Sequence, residues 1–321
     1  MWPFQLQIDL FVLNMVHQFP GRFQGKVVAI TGGASGVGAA LTRRYVAEGA
    51  KVLIADMCET EKGQSFVQEL PEGSVHFHQC DISDADQATS VVTAAIEKFG
   101  DLDIVHNNAS AFAWGAIPDM DPEHWARVFK VGVDGPFHIC RAAITHMRKQ
   151  TTKKQRGAIV NTLSTSGLSG DKGLGCYCAA KAALANLTRA MGADHALEGI
   201  RVNGVAPGWI NTPMSASLSA TPAVRELVAS STPMHRPAEP EEIAAVATFL
   251  ASEDASFVTG AGEHPLSCKR RAVVWLTSIL SVECRWWPIG LEPNAIVGRS
   301  APGKPMLGGH STIDYLTSFP N

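Results

Sequence analysis

The chain has little net charge. Its 27 basic and 30 acidic residues leave a formal charge of −3 over 321 residues. No strong basic field points to nucleic acid as a partner. It also lacks a cysteine framework. Cys58, Cys80, Cys140, Cys176, Cys178, Cys268 and Cys284 are seven in number and irregularly spaced. An odd, scattered set argues against structural disulfides and fits a reducing, cytoplasmic compartment. No apolar run is long enough to span a bilayer. The opening stretch MWPFQLQIDLFVLNMVHQFPGRF is broken by Asp9 and Asn14 and has no basic n-region, so a secretory signal is not expected. The run Ala272–Val282 is likewise too short. Internal repeats and low-complexity segments are not evident.

What the chain does have is alternation. KVVAIT (Lys26–Thr31), KVLIAD, SVHFHQCD, LDIVHNNAS, GAIVNTLS and IRVNGVAPG read as six strands. Between them lie helical patterns, including GVGAALTRRYVAEGA closed by Gly49 and DQATSVVTAAIEKFG closed by Gly100. A long helical segment runs from DPEHWARVF to THMRKQ, with Asp121 as N-cap and Pro122 at the first helical position. YCAAKAALANLTRAMGADHA and EPEEIAAVATFLASE are two more helices. Strands alternating with helices predict an α/β, Rossmann-type doubly wound parallel sheet with right-handed crossovers. Residues 1–22 read as an N-terminal extension, 23–262 as a single catalytic domain and 263–321 as an atypical C-terminal segment. Ligands of such sheets bind beyond the carboxyl ends of the strands.

Chemistry-bearing residues sit at those ends. TGGASGVG, from Thr31 to Gly38, stands between the first strand and the first helix. Its glycines let backbone N–H groups approach a pyrophosphate at the helix N-terminus, where the dipole favours negative charge. Thr31, Gly32, Ser35, Gly36, Val37 and Gly38 are therefore candidate cofactor-binding residues. Asp56 ends the second strand, 20 residues after Gly36 (56 − 36). A carboxylate there accepts hydrogen bonds from an adenosine ribose and repels a 2′-phosphate, which favours NAD over NADP. Tyr177 and Lys181 form an i, i+4 pair on one helix face. A phenol beside an ammonium shifts toward the phenolate, the form that accepts a proton. Cys176 and Cys178 flank the tyrosine with no second pair near them in sequence, so a zinc site is not expected.

With TGGASGVG, Asp56, CDIS, NNAS, IVNTLS, YCAAK and VAPGWINTPM in this order, the chain resembles the classical short-chain dehydrogenases/reductases over residues 22–262. The resemblance implies that Ser164, Tyr177 and Lys181 are the catalytic serine, tyrosine and lysine. Ser164 precedes Tyr177 by 13 residues (177 − 164). It implies that Asp81, with Ile82 beside it, faces the adenine ring. Asn107 and Asn108 would lie near the cofactor, with Asn108 steadying the central strand. Pro207, Gly208 and Ile210, with Thr212, would hold the nicotinamide amide, and Lys181 would grip its ribose. The expected activity is NAD(P)-dependent interconversion of a secondary alcohol and a ketone. The family's breadth spans sterols, sugars, acyl thioesters and intermediates of secondary-metabolite biosynthesis. Members usually form homodimers or homotetramers through the tyrosine helix and the long helix before it.

Three features depart from the family pattern. Gly132 stands where the family usually has an asparagine that bends the helix and holds a water near the lysine; the expectation is a proton path through solvent and a slower enzyme. Ser110 replaces the usual glycine of NNAG and adds strain if its φ is positive. After FLASEDASFVTGAG the family's last strand should follow, but EHPLSCKRRAVVWLTSILSVECRWWPIGLEP intervenes. These departures keep open a second reading, a non-catalytic dinucleotide-binding relative. Trp114, Trp209, Met214 and Leu218 are expected to line an apolar substrate pocket.

Overall fold

The computed structural model describes residues 18–219 and 221–263. Seven strands form one parallel sheet in the order β3-β2-β1-β4-β5-β6-β7. They are β1 (Val27–Thr31), β2 (Lys51–Asp56), β3 (Val75–Gln79), β4 (Ile104–Asn107), β5 (Gly157–Thr162), β6 (Ile200–Val205) and β7 (Gly262–Glu263). The β-branched runs form central strands because both faces are covered, so neither side of the pleat needs polar residues. Val28, Ile30, Val52, Ile54 and Val160 point to one face, against Leu41, Tyr45, Ile243 and Leu250. Val27, Ala29, Leu53, Val105, Ile159 and Val202 point to the other, against Val91, Val92, Ile139 and Met147. The helices supplying the first set are α1 (Gly36–Ala47) and α9 (Pro240–Ala251). Those supplying the second are α3 (Ala85–Phe99) and α5 (Gly135–Met147).

The remaining helices are α2 (Thr60–Gln68), α4 (Pro122–Phe129), α6 (Gly175–His195), α7 (Pro213–Ser219) and α8 (Pro222–Ser231). Helix α2 was not anticipated from sequence, because it buries only Gly63 and Phe66 and leaves most of its length polar. Helices α7 and α8 replace what reads as a substrate loop. The predicted long helix is interrupted by a π-helical turn at Lys130–Asp134, where Gly135 N–H bonds to Lys130 O. Pro136 explains the turn: it has no N–H to return to Gly132 O, so the ladder slips by one residue. Strand β7 pairs with β6 through Gly204–Gly262 and Val205–Glu263, so the last strand starts where the family pattern calls for it. The rest of the segment after residue 263 lies outside the described residues, as do residues 1–17.

The chain builds outward from β1 to β2 and β3, then returns to the other side of β1 as β4. A crevice therefore opens between the ends of β1 and β4, the switch point at which this architecture takes ligands. The opposite end of the sheet is closed by charge. Glu48, at the end of α1, is fully buried and pairs with Arg22 at 2.6 Å and Arg44 at 3.0 Å. Arg22 also donates to Thr248 of α9 at 3.1 Å, which ties residues before β1 to the core. Glu48→Ala leaves two largely buried guanidiniums without their carboxylate and is expected to cost about 3–5 kcal/mol. Urea denaturation measures it: a midpoint unchanged from wild type would contradict this reading.

Candidate active site

The strand ends meet in one cleft of about 340 Å³. Gly32, Ser35, Gly36, Val37, Asp56, Asp81 and Ile82 line one part of it, and Ser164, Tyr177, Lys181, Pro207, Gly208, Ile210 and Thr212 another, with Asn108 between. Of the residues expected to bind cofactor, Thr31 and Gly38 do not line the cleft. Thr31 is fully buried and its hydroxyl accepts from the backbone N–H groups of Asn108 and Ala109, both at 3.0 Å. Gly38 lets α1 pack onto the loop, since a Cβ there would collide with Gly32 O.

The loop after β1 is built to hold an anion. Gly32 (φ +63) and Gly36 (φ +50) take the left-handed conformation that turns the chain back to the helix. Ser35 is the N-cap of α1, but its side chain caps nothing, so the first N–H groups of the helix are free of a side-chain cap. Asp56 holds the loop by accepting from Ala34 N at 3.1 Å and from Cys58 N at 3.1 Å. A carboxylate at the end of β2 and a glycine cradle on a helix N-terminus together suit a dinucleotide.

Sequence reasoning missed Arg127 of α4, whose guanidinium donates to Asp81 at 2.8 Å and to Ser83 Oγ at 2.5 Å. Burial opposes ionisation of Asp81, but hydrogen bonds from Arg127 and Ser83 outweigh it and hold the carboxyl below its usual range. Arg127 lies 46 residues along the chain from Asp81, and no local pattern marks the pair. Asn107 turns out to face inward, donating to Asn161 Oδ1 at 2.8 Å and Cys140 Sγ at 3.2 Å; it does not line the cleft. Alternation along β4 sends neighbouring asparagines to opposite sides.

Ser164 ends the stretch after β5 in extended conformation, and its Oγ accepts from Ser166 N at 3.2 Å. That bond uses a lone pair and leaves the hydroxyl proton free to donate. Tyr177 and Lys181 enter from the first turns of α6. Lys181 is almost fully buried and donates to Thr162 O at 2.7 Å. Burial pulls its pKa down to about 8. The expectation that the ammonium lowers the phenol is not met in this geometry. Burial pushes Tyr177 up, and hydrogen bonds with Ser164 and Ser110 pull it part of the way back. The lysine Nζ stands 5.7 Å from the tyrosine ring centroid.

Ser110 is not strained, because among the described residues the one non-glycine with positive φ is His235. The apolar wall differs from expectation. Met214 lines the cleft, whereas Trp209 and Trp114 do not. Trp114 packs over Gly173, and the side chain of Leu218 lies outside the described residues. Phe112 instead meets the Tyr177 ring edge-on at 5.6 Å. No group of three or more metal-ligating side chains occurs among the described residues.

A family model described as enoyl-(acyl carrier protein) reductase matches residues 32–264. The meso-2,3-butanediol dehydrogenase of Serratia marcescens is 40% identical over 240 residues, 75% of this chain and 92% of that protein. A 3-oxoacyl-[acyl-carrier-protein] reductase of Thermotoga maritima is 38% identical over 242 residues, 74% of this chain and 95% of its own. A crystal structure of a short-chain dehydrogenase/reductase, glucose/ribitol dehydrogenase, from Brucella melitensis superposes with a TM-score of 0.71 at 30% identity, covering 77% of this chain and 97% of that one.

Gly132 lies in the π-helical turn, buried, and a Cβ built on it meets only Ala180 Cβ, at 3.5 Å. The site therefore accepts a Cβ without a clash. Gly132→Asn is expected to fold and to raise turnover about threefold or more by restoring a fixed water near Lys181. Steady-state kinetics on the two proteins decide it, and equal turnover numbers would show that the missing side chain does not limit the reaction.

Proposed function

The chain belongs to the classical short-chain dehydrogenase/reductase family and is an NAD(P)-dependent oxidoreductase of secondary alcohols and ketones, and from that premise we propose that Tyr177 is its general acid and base and NAD its preferred cofactor. The observation that carries the reading is the convergence of Ser164, Tyr177 and Lys181 on the same cleft as Asp56 and the glycine loop. When bound, a nicotinamide dinucleotide would supply the hydride acceptor for oxidation of the alcohol and the donor for the reverse reaction.

The protein's own residues manage position and proton. Ser164 donates its free hydroxyl proton to the substrate oxygen and fixes it beside Tyr177. In oxidation the Tyr177 phenolate takes the alcohol proton; in reduction the phenol returns it. Lys181, held by Thr162 O, would bond a ribose hydroxyl of the cofactor. Asp56 accepts from the adenosine ribose, and its charge repels a 2′-phosphate. Ser164, Tyr177 and Lys181 are the catalytic set; Gly32, Ser35, Gly36, Val37, Asp56, Asp81, Ile82, Asn108, Pro207, Gly208, Ile210 and Thr212 hold the dinucleotide. Thr31 and Gly38 support that loop from behind.

The substrate is an apolar secondary alcohol or its ketone. Phe112 against Tyr177 and Met214 at the cleft support this. Copies of the chain pair through α4–α5 and α6. Trp125, stacked on Phe129 at 4.9 Å, and Phe137 expose apolar surface on α4 and α5 that such pairing covers. Phe137→Glu is expected to lower the mass seen by light scattering to that of one chain, and an unchanged mass would place the contact elsewhere.

Tyr177→Phe is the direct test. Turnover should fall at least about 100-fold, while NADH binding, followed by tryptophan emission, stays within about twofold of wild type. NADPH should bind more weakly than NADH, and Asp56→Ala should erase the difference. Retained turnover in Tyr177→Phe would remove the tyrosine from the mechanism.

A further inference from the structure

Strand order assigns the two ends of the cleft. The glycine loop follows β1, which has β2 and β3 on one side and β4, β5 and β6 on the other. A dinucleotide with its pyrophosphate on that loop and its nicotinamide beside Tyr177 would lay its adenosine across the ends of β2 and β3. The lining there is Asp56 and Met57 at the end of β2, Asp81 and Ile82 beyond β3, and Arg127, brought in by α4. Asp81 suits the edge of an adenine. An ionised carboxylate only accepts, so it pairs with an exocyclic amino group and rejects a carbonyl.

Charge makes that end hard to fill with carboxylates alone. The charged residues lining the cleft are Asp56, Asp81, Arg127 and Lys181, and Lys181 belongs to the Tyr177 end. Without Arg127 the adenosine end would offer two carboxylates and no cation to a ligand whose pyrophosphate is itself anionic. Covering a lone carboxylate also strips its water, a cost that a single hydrogen bond from a base does not offset.

Arg127 is placed to remove that cost. Its Nη1 donates to Asp81 Oδ2 at 2.8 Å and to Ser83 Oγ at 2.5 Å. Asp81 Oδ1 accepts from Ser83 N at 2.9 Å, and Asp81 N donates to Gln87 Oε1 at 3.0 Å. Each carboxylate oxygen thus uses one lone pair within the protein and keeps one for a ligand. Arg127 Nη2 lies 3.7 Å from Met57 Sδ, so the guanidinium spans the ends of both strands. The Asp81 and Arg127 side chains are 35% and 39% exposed. At that exposure water screens the pair, and it contributes little to the fold. An adenosine covering the pair would exclude that water and strengthen the attraction.

We propose that Arg127 is a positioning residue for the adenine of the cofactor: it neutralises Asp81 as the base covers it, and so lets that carboxylate accept from the adenine amino group. This rests on the reading of the cleft as a dinucleotide site. Arg127 acts through Asp81, so its effect on binding exists only where Asp81 is charged.

The test is NADH binding to the full-length protein, followed by tryptophan emission. Arg127→Gln should weaken binding about tenfold or more, and Arg127→Lys, which keeps the charge, should return it to within about threefold of wild type. In an Asp81→Asn background the same Arg127→Gln change should alter the dissociation constant by no more than about twofold. Reduced nicotinamide mononucleotide, which carries no adenine, should compete equally well in wild type and Arg127→Gln. The urea midpoint of Arg127→Gln should stay near that of wild type, because the exposed pair holds little of the fold. Wild-type NADH affinity in Arg127→Gln would overturn the proposal. So would an equal loss with and without the Asp81 carboxylate, since Arg127 would then not act through it. A parallel loss of the mononucleotide would make Arg127 a prop for the whole cleft and overturn it as well. None of these readouts needs turnover. A protein inactive on every alcohol tried, yet showing the coupled loss, would count against the assigned activity and leave the Arg127 assignment standing.

Discussion

A short run of hydrogen bonds across the sheet holds the cleft together. The Thr31 hydroxyl accepts from the N–H groups of Asn108 and Ala109, both at 3.0 Å. The Asn108 amide donates to Thr31 O at 3.1 Å and Gly32 O at 3.4 Å, and its oxygen accepts from Thr162 Oγ1 at 3.4 Å. Thr162 O then accepts from Lys181 Nζ at 2.7 Å. The glycine loop after β1, the end of β4, the end of β5 and Lys181 are thus parts of one bonded chain. Parallel strands diverge at their carboxyl ends, where the ladder stops and backbone groups need other partners. Here those partners are side chains, and satisfying them also sets the distance from the glycine loop to Tyr177.

The two asparagines of NNAS show how economical that arrangement is. Asn108 works at the cleft, while Asn107 turns into the protein and joins Asn161, which in turn donates to Thr188 of α6 at 2.8 Å. One residue therefore fixes the strand ends and its neighbour fixes the tyrosine helix against β5. Buried polar groups of this kind are costly unless hydrogen-bonded, and the directional amide bonds they make here render the geometry specific. The helix that carries Gly132 obeys the same rule differently. Pro136 cannot return a hydrogen bond, and the π-helical turn absorbs the fault beside the site without breaking the helix.

Electrostatics at the centre are governed by burial. Lys181 is pulled down to about 8 and Tyr177 is pushed up, each because a charge is costly away from water. Between about pH 8 and the lysine's ordinary value the unfolded chain binds more protons at this position than the native one. Lys181 therefore contributes rising stability with pH across that window and its full burial cost below it. The relatives that share this fold act on alcohols and ketones of differing size. In this chain the bonded core stands beside Met214 of α7, which lines the cleft, and Phe112, which meets the Tyr177 ring.

The short-range patterns were legible in the residues. The β1–loop–α1 unit, Asp56 at a strand end, the Gly100 stop of α3 and the Tyr177–Lys181 spacing all depend on neighbours within a few turns, and each appears as the pattern requires. Helix α2 was missed because its polar face outweighs two buried residues, and α7–α8 because short, weakly apolar helices look like loops. Tertiary structure decided what depends on contacts across long stretches of chain. It paired Arg127 with Asp81, turned Asn107 inward, moved Trp114 away from the cleft and placed Arg127, Ser164 and Tyr177 around one space. Sequence fixes backbone chemistry and periodicity at each position; only packing of the finished sheet determines which side chains share a space and how far burial shifts their charge.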